Sequence, residues 1–147
     1  MSQAEEPLLS VRNLCTYFGS EDGVVKAVDG VSFDLWRGET LGIVGESGSG
    51  KSVTSLSLLR IVDGAAGKIL RGEIMLEGQD ILSLPLEAVR RIRGKRISMI
   101  FQDPMTSLNP FMRISTQLME LTRLHLGHTK REAHAHAVRM LETVGIP

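Results

Sequence analysis

The chain has 147 residues, enough for one domain with a sizeable core, and its 42% apolar and 23% charged residues are ordinary for a soluble globular protein. Its 17 basic and 17 acidic side chains cancel, which argues against a nucleic-acid-binding surface as the main purpose. The single cysteine, Cys15, excludes an internal disulfide and fits a reducing compartment, residues 1–7 carry no secretory signal, and no apolar run approaches the roughly 18–20 residues that cross a bilayer.

Leu8 to Leu14 reads as a short strand, followed by the polar turn cluster Gly19-Ser20-Glu21-Asp22-Gly23. From Val25 to Leu35 apolar residues alternate with Lys26, Ser32 and Asp34, the period of a half-buried strand, with Asp29-Gly30 as a bend and Trp36–Glu39 as a turn. Thr40 to Val44 is a short continuous apolar run of the kind buried on both faces of a parallel sheet. After a glycine-rich loop, Val53, Leu56, Leu59 and Val62 recur at helical spacing. Ile74-Met75-Leu76, enclosed by Gly72 and Gly78, predicts a strand, Leu86–Arg93 a short helix, Arg96–Phe101 a strand and Gln102–Pro110 a loop. Two helices follow: Arg113 to Leu126, and one opened by the capping-box pattern Thr129-Lys130-Arg131-Glu132, with Ala133, Ala137, Met140, Leu141 and Val144 as its apolar stripe and Gly145 as its stop.

The loop Gly45-Glu46-Ser47-Gly48-Ser49-Gly50-Lys51-Ser52 carries the chemistry. Its glycines permit a backbone curl that turns amide hydrogens toward phosphate oxygens, and the helix from Lys51 presents its free amides, through Val53, to the same anion. The Lys51 ammonium is placed to reach the β- and γ-phosphates, and the Ser52 hydroxyl to ligate Mg²⁺. ATP and Mg²⁺ are the expected ligands. The strand before the loop and the helix after it are the context this motif requires, which a glycine-serine linker would lack.

With this loop, three further stretches make the chain resemble the first half of an ATP-binding-cassette (ABC) transporter ATPase: Ala27–Phe33 with Arg37–Gly45, Gly72–Ile74 with Gly78–Ile81, and Phe101–Pro110. The last is similar to the Q-loop of the dipeptide and oligopeptide importer subfamily, which includes nickel importers, and Ile114, Gln117 and Glu120 continue the likeness. The resemblance implies an α/β P-loop core with an antiparallel β-subdomain (about 8–35 and 70–80), the phosphate loop and helix at 40–62, a strand and Q-loop at 96–110, and the start of a helical subdomain at 113–145. It implies that Gln102 senses the γ-phosphate and Mg²⁺, as a metal-site and catalytic residue beside Lys51, and that Phe18, or alternatively Tyr17, stacks on adenine. Partners would be transmembrane permease subunits met through the Q-loop region and a second ATPase subunit. The location would be peripheral, on the cytoplasmic side of the inner membrane, with no nucleic acid expected. Cargo is left open.

The signature motif, switch histidine and second acidic strand end of the family do not occur in the chain. Asp63 ends a helical pattern, Asp103 lies in the loop, and Glu77 sits among hairpin glycines. The expectation is therefore an N-terminal part of a longer subunit, truncated before those elements, that binds ATP without efficient hydrolysis and exposes an apolar edge at Thr40–Val44. The alternatives are a non-transport ABC-type ATPase of the DNA-repair class and a silent nucleotide-binding truncation product. The basic run Arg90, Arg91, Arg93, Lys95 and Arg96 reads as a solvated face. The histidines His125, His128, His134 and His136 read as solvent-exposed, and Cys15 as a packed small side chain.

Overall fold

A computed structural model describes residues 6–21, 23–62, 67–103 and 107–146, so Asp22, Asp63, the Pro104–Thr106 part of the loop stretch and Pro147 lie outside the described residues. The chain divides into two compact units, residues 1–90 and 91–147.

The first unit is built on an antiparallel sheet of order β2-β1-β3-β4, with β1 Leu9–Ser20, β2 Gly23–Leu35, β3 Gly67–Leu76 and β4 Gln79–Asp80. β1 runs six residues past the predicted Leu14, because both of its edges are laddered, to β2 on one side and β3 on the other. β1 and β2 close on the pair Ser20/Gly23, so part of the polar turn cluster is strand. β3 and β4 meet at Glu77-Gly78, both with positive φ (49° and 75°), the backbone that a two-residue hairpin of type I′ demands. Glu77 is thereby a turn residue, paired with Arg37. Leu14, Val11 and Ile74 are fully buried at the heart of this sheet.

Helix α1, Lys51–Leu58, is shorter than the apolar spacing predicts: Arg60 takes a left-handed φ of 53°, and Leu59 is the C-cap. Within the helix the buried residues are Thr54 and Ser57. The Ser57 hydroxyl bonds Thr16 Oγ1 at 2.8 Å, so a polar pair, satisfied in its burial, holds α1 to β1. Helix α2 spans Leu86–Ile92, where the spacing predicts it.

Two predicted strands are not strands. Residues 40–46 and 98–101 carry no ladder, and most apolar side chains in them are exposed, Val44 at 92% and Ile100 at 95%. An extended run becomes a strand only when neighbours take up its backbone donors and acceptors, and none of the described strands pairs with either run.

In the second unit, helices α3 Ile114–Leu126 and α4 Lys130–Thr143 form a hairpin around Met119, Ala133 and Ala137. α3 stops at Gly127 in the left-handed region. α4 opens on a complete capping box: the Glu132 amide donates to Thr129 Oγ1, and the Thr129 amide donates to Glu132 Oε2 at 2.8 Å. Met140 and Val144 of the predicted stripe are exposed. No described helix is long and apolar enough to cross a membrane.

Candidate functional site

The glycine-rich loop joins the extended run at 40–46 to α1. Gly48 and Gly50 take φ values of 81° and 90°, left-handed backbone that any other residue would resist. Space makes the same demand: a β-carbon at Gly50 would collide with the Ala27 carbonyl of β2, and one at Gly45 would meet Ser49 Oγ at 2.6 Å. α1 then starts at Gly50 with no side-chain cap on its first-turn amides. An uncapped helix start favours an anion.

Lys51 folds back across the loop. Its ammonium donates to the carbonyls of Gly45 and Glu46, both at 2.6 Å, and to Ser49 Oγ at 3.3 Å. The charge is thus held at the mouth of the loop by the loop's own backbone. Ser52 is exposed one residue further on, and Val53 completes the first turn. Gly45 through Val53 thus form one continuous stretch that carries the Lys51 ammonium, the exposed Ser52 and the uncapped start of α1.

Tyr17 and Phe18 fall on opposite faces of β1, as consecutive strand residues must. Thr16, two residues before Phe18, touches α1, so Phe18 shares the α1 face. The Phe18 ring lies against the α-carbon of Gly67, its cross-strand partner in β3, where a β-carbon would come within 2.5 Å of the ring. Gly67 therefore makes the seat for this aromatic, a role the sequence alone did not signal.

On the other face, the Tyr17 hydroxyl donates to Asp29 Oδ1 at 2.6 Å, and Lys26 Nζ stands 5.4 Å from the ring centroid. That hydrogen bond, with burial and the nearby carboxylate charge, pushes the phenol up to about 12, while Tyr17 and then Cys15 hold Asp29 below the usual carboxylate range. Cys15 is buried, as expected, but in polar company: its sulfur accepts from Arg71 Nε at 3.1 Å and from the Gly30 amide at 3.2 Å.

Gln102 belongs to the second unit, exposed directly after Phe101. Further along, Gln117 clamps the turn that ends this loop: its Oε1 accepts from the Asn109 amide at 2.9 Å, and its Nε2 donates to the carbonyls of Asn109 and Met112, both at 3.0 Å. Phe111, on that turn, is almost wholly exposed. Three of the four histidines are half-buried rather than solvent-exposed. The rings of His128 and His136 approach to 5.8 Å, because the capped start of α4 folds one toward the other. Among the described residues no three His, Cys, Asp or Glu side chains gather as a metal site.

The profile of the family described as "ABC transporter" matches residues 28–147. The chain is 50% identical over 141 residues to the oligopeptide transport ATP-binding protein OppD of Haemophilus influenzae, covering 96% of this chain and 43% of that protein. It is 48% identical over 145 residues to OppD of Escherichia coli (99% and 42%) and 49% identical over 138 residues to AppD of Bacillus subtilis (94% and 42%). The chain thus spans about two fifths of the length of these relatives. Among solved structures, the ATP-binding cassette MJ0796, in a dimeric post-hydrolysis state bound to ADP and Pi, superposes with a TM-score of 0.77 at 20% identity, over 91% of this chain and 56% of that one. That likeness shows a shared fold.

Proposed function

This chain belongs to the ABC transporter family, and from that premise we propose that it is the nucleotide-holding part of an ATP-binding subunit that drives peptide import. The loop at 45–52 carries the reading: left-handed glycine backbone at Gly48 and Gly50, an uncapped helix start, and an ammonium held by the loop carbonyls. Identity near 50% with the oligopeptide transport ATP-binding proteins favours peptides as cargo of the assembly.

The site's donors fit a magnesium nucleotide. Loop amides and Lys51 take the phosphates, and Ser52 supplies a hard oxygen of the kind Mg²⁺ prefers. When bound, Mg²⁺ neutralises phosphate charge. Phe18 is the better adenine platform of the two aromatics. One of its faces rests on Gly67, whereas Tyr17 is engaged by Asp29 and Lys26 on the other side of β1. Efficient turnover is not expected from this chain alone. Glu77 is spent in a hairpin and an ion pair, and Asp103 follows Gln102 in an exposed loop, so neither ends a strand.

The partners of the assembly are permease subunits, met through the loop around Gln102 and Phe111, and a second ATPase subunit, as in the dimeric neighbour. The location this reading implies is the cytoplasmic face of the inner membrane. The unladdered runs at 40–46 and 98–101 are where further strands of the assembled subunit would pair.

A titration with a fluorescent ATP analogue and Mg²⁺ tests the nucleotide reading. Saturable binding is expected, weakened roughly a hundredfold by Lys51→Ala, the scale of one or two charge-assisted hydrogen bonds. Absence of saturable binding by folded protein would overturn it.

A further inference from the structure

We propose that Asp29 is a positioning residue for the nucleotide base, acting through Tyr17 to keep Phe18 on the α1 face of β1. The inference rests on the reading of Phe18 as the adenine platform, and adds what holds that platform in place.

The β1–β2 ladder is irregular, with register shifts between Val11 and Leu14, Leu14 and Cys15, and Thr16 and Tyr17. A slip of one residue would exchange the faces of Tyr17 and Phe18, carrying the platform to the wrong side of the sheet. The last shift falls immediately before these two residues: Thr16 pairs Val28 while Tyr17 pairs Lys26, leaving Ala27 as an extra residue in β2. Asp29 anchors both strands around that bulge. Its Oδ1 accepts from the Tyr17 hydroxyl at 2.6 Å and from Cys15 Sγ at 3.5 Å, fixing two residues on one face of β1. Its Oδ2 lies 3.6 Å from Lys26 Nζ, so the ion pair brackets Ala27 within β2. With Tyr17 pinned to one face, the strand's period of two delivers Phe18 to the other, against Gly67. The proton on the phenol is part of the device, since the short bond and neighbouring carboxylate hold it there beyond its usual range.

The test separates base from phosphate recognition. Affinities for Mg-ATP and for inorganic tripolyphosphate are measured on the chain and on Asp29→Ala, Tyr17→Phe and Asp29→Asn, with Phe18→Ala setting the size of the base contribution. Asp29→Ala and Tyr17→Phe are expected to weaken ATP roughly three- to tenfold relative to tripolyphosphate, the effect of one lost hydrogen bond. Asp29→Asn, which keeps an acceptor for the hydroxyl, is expected to restore the ratio. Because Tyr17 is the only tyrosine, ultraviolet absorbance near pH 11 reads it alone, and the phenol should remain protonated in the parent chain and ionise in Asp29→Ala. An unchanged ATP-to-tripolyphosphate ratio, an equal loss of both ligands, or a phenol that titrates normally in the parent chain would each overturn the proposal. A parent chain that binds tripolyphosphate as tightly as ATP would instead sink the Phe18 platform itself.

Discussion

Ile74 and Ile100 sit in runs that look alike on paper, yet Ile74 is fully buried in β3 while Ile100 is 95% exposed. Both runs are short and apolar, and both predict strands. They differ in what lies beside them. β3 is laddered to β1 on one edge and β4 on the other, and its inward side chains meet Val11 and Leu14 of the same core. Residues 98–101, like 40–46, pair with none of the described strands. β-propensity is a capacity to fit a paired, half-buried surface, and it is realised only where partners exist.

The contrast is sharpest at the two isoleucines. Ile74→Ala should cost about 2–5 kcal/mol of stability, since it leaves a cavity in a close-packed core, and chemical denaturation with a shifted midpoint at constant slope would measure it. A loss below about 1 kcal/mol would show that the sheet is not the packed region. In the helical hairpin, Thr129→Ala removes the N-cap and should cost about 1 kcal/mol, read as lost helical ellipticity on mild heating.

A pH series should find limits on both flanks of the β1–β2 network. Asp29 is held low in the fold, so its contribution is present above the ordinary carboxylate range and fades as pH falls through its folded value. The Tyr17 phenol is raised, so its contribution is intact below the ordinary phenol value and is lost as pH climbs through about 12. Asp29→Asn should flatten the acid limb.

The smallest effect is expected at Ile100→Thr: within about 0.5 kcal/mol of the parent in stability, but with less aggregate by light scattering, because an exposed apolar run is shortened. A large destabilisation there would mean that residues 98–101 are packed after all, and would dissolve the comparison.

Much of the site was legible in advance because its causes are local. The spacing of Gly45, Gly50, Lys51 and Ser52 dictates a curled loop, an uncapped helix start and a lysine within reach of both, whatever surrounds them. The capping box of α4 and the Glu77-Gly78 turn are likewise set by a few consecutive residues. Apolar spacing misjudged α1, whose buried residues Thr54 and Ser57 are polar, because the Thr16 partner of Ser57 lies 41 residues away.

By itself the sequence determined the curl of the glycine-rich loop, the start of α1 after it and the lysine that folds across it, since backbone freedom and charge belong to the residues that carry them. Only the tertiary structure decided which apolar runs became strands, which of two adjacent aromatics turned toward α1, and what seats the Phe18 ring against Gly67. Those outcomes depend on pairings between segments far apart in the chain, and a hydrogen-bond ladder or a ring seat exists only once both sides have met.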